Sequence, residues 1–509
     1  MRRLDSGLVW FRRDLRLLDH AALSHALREC RRVHCAFVFD RGILDALPSP
    51  RDRRVEFIRE SLVELDQVLR GHSGAMIAVH GDGAESIVAL AARLQVDAVY
   101  LNRDYEPAAI ERDDRVARAL EAQGQQLRTF KDQAIFERDE ILSGTKRPYS
   151  IFTPYRNAWE RALGADATPI AAHPVLPHVD ALAPPPDAMH PAEGLPASVA
   201  AARIPTLESM GFERTNLSEL PLGVGISGGA RLLAEFRDGL LGAYRTGRER
   251  PAIRGSSLLS VHLRFGTVSV RECARIARAS VDAEPQAADG ARTWLSELTW
   301  RDFFFQTLWH MPHSVDRPCK PVFEKVRFEE GPRADGLFDA WAQGRTGYPL
   351  VDAGMRQMAA TGFMHNRTRM VVASFFCKQL GLHWKRGERF FADHLNDYDL
   401  SANVGNWQWA ASTGCDAQPW FRIFNPITQS EKFDGRGQYV RQWVPELARL
   451  PDAAIHAPWA AGADTLVAAG VRLGAGKDYP LPVVDHVQAR AKSLARYSVV
   501  KGSGSEPDD

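Results

Sequence analysis

From residue 7 to about 130, short apolar runs alternate with stretches whose apolar positions recur every three or four residues. The runs at 8–11, 34–39, 75–80 and 97–101 have the length and β-rich composition of buried strands. Between them, Val55, Ile58, Leu62, Leu65, Val68 and Leu69 fall on one helical face of 54–70, and 84–94 repeats the pattern. This rhythm predicts a parallel sheet with helices on both faces. Beyond about 230 the period is helical almost throughout, at 229–241, 270–279, 291–310, 354–361, 368–380, 388–395 and 439–450. Between these regimes, 165–205 holds nine prolines, including Pro184-Pro185-Pro186, and predicts an irregular surface linker rather than another core. The expected organisation is an α/β domain at 1–135, a linker at 136–229, an all-helical domain at 230–490 and a disordered tail at 491–509.

Composition narrows the class of protein. Across 509 residues, 45% apolar and 25% charged side chains exclude wholesale disorder, a collagenous repeat and a disulfide scaffold. The six cysteines form no CxxC pair and no ligand spacing with histidine, which predicts no metal site and a reducing, cytoplasmic setting. A five-residue apolar run ending at Arg12 and Arg13 predicts neither a secretion signal nor a membrane anchor. A net charge of +1 leaves room for a local basic face only. Ten of the twelve tryptophans lie beyond residue 290, so the two halves differ in chemistry.

Four segments carry candidate chemistry. Gly255, Ser256 and Ser257, just before an expected helix, offer backbone N–H groups and short hydroxyls suited to a phosphate, although they equally describe a capped helix start. On a helix, Trp294, Glu297, Leu298 and Arg301 share one face, so an indole, a carboxylate and a guanidinium stand together as a binding face or a salt-bridged core. Asn366 and Met370 lie one turn apart beside Arg367 and Arg369. Finally, 396–409 packs Asp397, Tyr398, Asp399, Asn403, Trp407 and Trp409 into 14 residues, a set costly to bury unless a polar ligand satisfies it.

WFRRDLRLLDHAAL at 10–23, TGYPLVDAGMRQM at 346–358 and NWQWAASTGCDAQPWFRIFNPITQSEKFD at 406–434 resemble the signatures of the photolyase/cryptochrome family. The resemblance implies an N-terminal Rossmann-like α/β domain for an antenna pigment, followed by an all-helical domain that holds FAD. By motif, it assigns Tyr244, Ser256, Ser257, Leu258, Leu259 and Ser260 to the FAD phosphates and Trp294 and Arg301 to the pocket wall. It assigns Asp397, Tyr398 and Asp399 to the ribose and flavin edge, and Asn403 to flavin N5, where an amide would donate a hydrogen bond without supplying a proton.

The family contains repair enzymes and light sensors. This chain resembles its class I members that split cyclobutane pyrimidine dimers, which have the counterparts of Asn366 and Met370 over the lesion, Glu297 and Trp300 on its flank and Trp409 beneath it. The (6-4) repair enzymes have paired histidines in that pocket, whereas His365 is the only histidine in this segment. Plant-type cryptochromes, the alternative reading as a blue-light sensor signalling through a partner, tend to replace the residues at Asn403 and Trp409. Arg248, Glu297, Trp300, Arg301, Asn366, Arg367, Arg422 and Gln429 match DNA-contacting positions, so damaged DNA, single or double stranded, is the implied partner of a monomer. Asn102-RDYEPAAIERDD lies where relatives contact a second chromophore, a methenyltetrahydrofolate or a deazaflavin. Relatives also carry three tryptophans for electron transfer to the flavin. Trp407 and Trp384 match two of them, pointing Trp407 away from Trp409 if the backbone is extended, and Phe328 stands at the third. Trp309, Trp341 and Trp420 are the other exits on offer.

Overall fold

In a computed structural model, which describes residues 4–184, 204–283 and 285–500, the four apolar runs and a fifth strand pair into one parallel sheet. The strands are β1 (Leu4–Phe11), β2 (Cys30–Asp40), β3 (Met76–Gly81), β4 (Ala98–Asn102) and β5 (Gln126–Phe130), in the order β3-β2-β1-β4-β5. In the central strand Val9 pairs with Cys35 on one side and Tyr100 on the other. Successive side chains of a strand point to opposite faces, and both faces of β1 are buried. Val9 and Phe11 enter a core with Leu23, Ala26 and Leu27 of the Ala21–Glu29 helix. Leu8 and Trp10 enter the other with Ile87 and Leu90 of Gly83–Arg93 and Val116 and Leu120 of Pro107–Ala122.

The chain divides into two compact units, and their boundaries differ from those expected. The first takes in Met1–Tyr149, Thr153–Gly242 and Ser257–Trp309; the second takes in Ser150–Phe152, Ala243–Ser256 and His310–Asp509. The helix Ala288–His310, expected in the helical domain, therefore belongs with the sheet. Asp302 explains this: its buried carboxylate accepts hydrogen bonds from Ile135 N (3.1 Å), Phe136 N (3.0 Å) and Trp159 Nε1 (3.0 Å).

Nor is 136–229 a surface linker. It contains the helix Phe152–Ala165 with Trp159 fully buried, and Val175, Leu182, Leu207, Met210, Phe212 and Leu217 join the core of Val9 and Phe11. β3 begins pairing at Cys35, and before that point Ala183 N donates to Val33 O at 2.9 Å. The centre of the proline-rich stretch, with Pro185 and Pro186, lies outside the described residues.

In the second unit the helices Pro349–Thr361, Asn366–Ser374, Trp384–His394 and Leu400–Ala411 share one core. The helix expected at 439–450 stops at Trp443, because Pro445 has no N–H to continue it. The tail expected from 491 begins as the helix His486–Tyr497, whose Tyr497 is buried and donates its hydroxyl to Ala411 O at 2.8 Å. Residues 501–509, the rest of that tail, lie outside the described residues. No helix among the described residues is long and apolar enough to cross a membrane.

The burial of Leu207, 3% exposed, tests the reassigned segment. Leu207→Ala is expected to cost about 2–5 kcal/mol in denaturant unfolding, as for other buried leucines. A surface linker would give a change within about 0.5 kcal/mol.

Candidate functional site

The second unit holds a cleft of about 100 Å³ that gathers Asn366, Met370, Asp397, Tyr398, Asp399, Asn403, Trp407 and Trp409, all named from the sequence. Two helix starts converge there. His365 caps Asn366–Ser374 by accepting from Arg367 N through Nδ1 at 3.2 Å. Burial, with Arg369 and Arg367 nearby, pushes the His365 imidazole down to about 4, so the ring is neutral and remains an acceptor near pH 7. Asp399 caps Leu400–Ala411 by accepting from Ala402 N at 3.2 Å. Asp397 receives Arg369 Nη2 on both carboxylate oxygens, at 2.9 and 3.1 Å, and Arg369 Nε donates to Met364 O at 2.7 Å.

Asn403 departs from the expected donor role. Its Nδ2 donates to both Glu388 O and Glu388 Oε1 at 3.0 Å, and the backbone carbonyl, which can only accept, fixes which way the amide points. With both amide hydrogens held, Asn403 has only its Oδ1 acceptor left to offer a ligand. Arg369, named from the sequence only as a neighbour of Asn366, and Glu388, not singled out there, are thus the groups that fix Asp397 and Asn403. Glu388 is itself paired with Lys385 Nζ at 3.2 Å.

Trp407 and Trp409 stand on a helix rather than an extended segment. Two residues on a helix are about 200° apart, so the indoles still diverge. Trp407 is buried against the backbone of the neighbouring helix, where a Cβ on Gly387 would lie 2.2 Å from its Cη2. Its ring neighbours are Phe391 at 5.0 Å, Phe376 at 5.5 Å and Trp341 at 6.2 Å. Trp384 is fully buried one turn before Gly387 and stacks on His383 at 5.7 Å, which meets Phe328 edge-on at 4.8 Å. Trp420 packs against the same small cluster as Phe328.

Also in the second unit, the Arg248 guanidinium lies 5.5 Å from the Tyr244 ring centre, and Gly255 lies so close to Gly247 that a Cβ would stand 2.1 Å from Gly247 O. Arg367 pairs with Glu249 and stacks over Phe433 at 4.1 Å. Arg422 is exposed, Gln429 is half-buried and Ser256 is half-buried.

The remaining candidates belong to the first unit. Ser257 Oγ accepts from Leu259 N at 3.3 Å, Leu258 holds a left-handed φ of 55°, and Ser260 begins the next short helix. Trp294 is buried edge-on against Phe236 at 4.8 Å. Arg301 donates to the carbonyls of Gln133 and Leu263, with its guanidinium 4.6 Å from the Phe305 ring centre. Trp300 is half-buried and stacks on Phe304 at 5.4 Å, and Glu297 is half-buried one turn away. Trp309 lies under the Arg138 guanidinium at 4.3 Å.

Comparison with known proteins identifies the family. The model for the FAD binding domain of DNA photolyase matches residues 294–499, and that for DNA photolyase matches 7–175. The deoxyribodipyrimidine photo-lyase of Synechococcus sp. is 36% identical, with 98% of each chain covered. Among solved structures, a class III photolyase from Agrobacterium tumefaciens is 34% identical with a TM-score of 0.84 over 98% of both chains. A Synechocystis sp. PCC6803 cryptochrome is 28% identical with a TM-score of 0.83, over 97% of this chain and 100% of its own. The chain belongs to the DNA photolyase family.

The cleft fits part of an FAD molecule. A carboxylate with its own arginine, an amide offering only an acceptor and a flanking indole suit a planar ligand with a polar edge. Behind the site, Lys378 supports the turn that ends the tryptophan helix. Its buried ammonium lies 3.5 Å from the Tyr497 ring centre and donates to Ser412 Oγ (2.8 Å), Ala411 O (3.4 Å) and Trp420 O (3.4 Å).

Burial, with Arg496 nearby, lowers Lys378 from 10.5 to about 7. Between those values the unfolded chain binds a proton that the folded chain does not, so this group makes stability rise with pH across that window. Lys378→Met should flatten the stability profile from about pH 7 to pH 10 relative to wild type, measured by denaturant unfolding at a series of pH values. Parallel profiles would show that Lys378 titrates normally.

Proposed function

We propose that this chain is a deoxyribodipyrimidine photo-lyase, a monomeric cytoplasmic enzyme that splits cyclobutane pyrimidine dimers in DNA under blue light. The observation that carries the reading is the single cleft joining Asn366, Met370, Asp397, Tyr398, Asp399, Asn403 and Trp409. Reduced FAD, when bound, supplies light absorption and the transferred electron, and a second antenna chromophore of folate or deazaflavin type belongs to the same reading.

The protein's own work is positional. Asn403 Oδ1 would accept a hydrogen bond at flavin N5, while Glu388 prevents the amide from turning its hydrogens to the cofactor. Asp397, held by Arg369, and Asp399, held as a helix cap, would bind polar edges of the cofactor without rotating. Tyr244 and residues 256–260 would bind its phosphates, with Trp294 and Arg301 at the pocket wall. Trp300 and Trp409 would stack a flipped lesion, and Met370 would pack over it. Glu297 and Asn366 would bind the pyrimidine edges as charge develops on their carbonyls. Photolyases are among the enzymes known to act on flipped bases. Arg248, Arg367, Arg422 and Gln429 would hold the surrounding strand, where a few phosphate contacts suit a nearly neutral protein.

Illumination of the reduced protein with a dimer-containing oligonucleotide is expected to return intact pyrimidines, with no reaction in darkness or on a (6-4) lesion. Trp300→Ala should weaken lesion binding by about 1–3 kcal/mol in a titration, the usual worth of an aromatic stack. Absence of repair by the reduced wild type would leave the sensor reading.

Light-driven reduction of the oxidised protein tests the aromatic route. Phenylalanine is much harder to oxidise than tryptophan, so Phe328 should stall a chain running from Trp407 through Trp384. With an external donor present, Phe328→Trp should accelerate reduction and Trp384→Phe should abolish it, followed by absorption. If Trp384→Phe has no effect and Trp341→Phe abolishes reduction, the route instead follows the 6.2 Å contact from Trp407 to Trp341.

A further inference from the structure

Away from the cleft, Gln408 ties two distant stretches of the second unit together. It is fully buried between Trp407 and Trp409 in sequence, and its Nε2 donates to Ser314 O at 2.7 Å and Arg317 O at 2.9 Å. Its Oε1 accepts from Cys319 N at 3.0 Å and from Thr413 Oγ1 at 3.2 Å. Lys320 N reaches Thr413 O at 3.4 Å, so the backbone at 319–320 runs beside that at 413. The residues that follow complete a cluster of sulfur. Cys415 Sγ lies 3.6 Å from Met311 Sδ, and the Cys319 and Cys415 thiols are within hydrogen-bonding reach of each other.

We infer that Cys319 and Cys415 are a redox modification site, a dithiol that closes into a reversible intramolecular disulfide in the presence of a low-molecular-weight disulfide. The two positions are 96 residues apart in sequence, yet Gln408 and the Lys320–Thr413 hydrogen bond hold the backbone at 319–320 beside Thr413, two residues before Cys415. Paired thiols of this kind in reducing compartments are redox-responsive rather than permanent cross-links.

The two sulfurs divide the chemistry. Cys319 is part-exposed, and the hydrogen bond from Cys415, with Lys320 nearby, lowers its thiol below the usual range. Cys415 is buried and its thiol is held higher, by the same hydrogen bond and by burial. Cys319 is accordingly the attacking thiolate. It attacks one sulfur of the small disulfide, forming a mixed disulfide and expelling one small thiolate. Cys415 then gives up its proton and attacks Cys319 Sγ, expelling the second. The two protein thiols lose two electrons and two protons, and the small disulfide gains them as two thiols.

The other cysteines lack this combination. Burial alone pushes Cys35 up to about 12, and it pushes Cys377 to about 12 despite the neighbouring Lys378. The new bond would fasten the end of the helix carrying Trp407 and Trp409 to the segment 311–319, and the inference does not rest on the repair reading.

The test uses the full-length protein treated with oxidised glutathione and then denatured under acid quench. Of the six thiols, four should remain, the mass should fall by two hydrogens with no glutathione retained, and a Cys319–Cys415 cross-linked peptide should appear. Dithiothreitol should restore all six. Cys415→Ser should trap a mixed disulfide at Cys319, and Cys319→Ser should react far more slowly. Retention of six thiols, a cross-link between other cysteines, or loss of two thiols in Cys415→Ser would each overturn the proposal.

Discussion

Four charged side chains buried in the first unit set much of its architecture. Arg16 donates to Asp132 at 2.7 and 2.8 Å, Arg271 donates to the same carboxylate at 2.8 Å, and Arg271 Nε reaches Asp19 at 3.0 Å. All four residues are under a tenth exposed. Burial alone would raise Asp132, yet Arg16 and Arg271 hold it far below the usual carboxylate range. An uncompensated charge at such a site costs about 3–5 kcal/mol, so these partners cannot separate without a large loss. Because Arg271 comes from the helix Val270–Ala283, the quartet binds the stretch after residue 257 to the sheet. The Ala288–His310 helix follows, secured by Asp302, whose carboxyl burial pushes up to about 6 against three N–H donors.

This constraint explains where periodicity succeeded and failed. Strands buried on both faces must be continuously apolar, so β1 to β4 were visible as runs, with ends displaced by at most four residues. β5, with half-exposed Leu127 and Phe130, had no such run and was not predicted. Helical period identified the later helices but not which core they join. That choice depends on single polar residues such as Arg271 and Asp302, whose partners lie more than a hundred positions away. The proline-rich region failed for a different reason. Its core residues, from Val175 to Leu217, are scattered through short turns and leave no repeating interval.

The site was more legible than the domain boundaries because it concentrates expensive side chains. Acids, amides and indoles between 396 and 409 signalled a ligand before any geometry was known. Arg369 and Glu388 carried no comparable signal, since a charged residue on a helix usually faces water. Their roles follow from packing: Arg369 lies within reach of Asp397, and Glu388 meets Asn403 across the two helices Trp384–His394 and Leu400–Ala411.

The same two helices show how one scaffold fixes both the polar edge of the cleft and a buried indole. Gly387 lets Trp407 lie directly on the neighbouring backbone, and any side chain there would separate the helices. One residue later, Glu388 binds Asn403, whose position one turn before Trp407 leaves both facing the same neighbour. Widening the contact at Gly387 would therefore disturb the amide and the indole together. The hydrogen-bonding edge of the cleft and the position of the Trp407 indole are thus set by a single close approach between helices, so neither can be adjusted without the other.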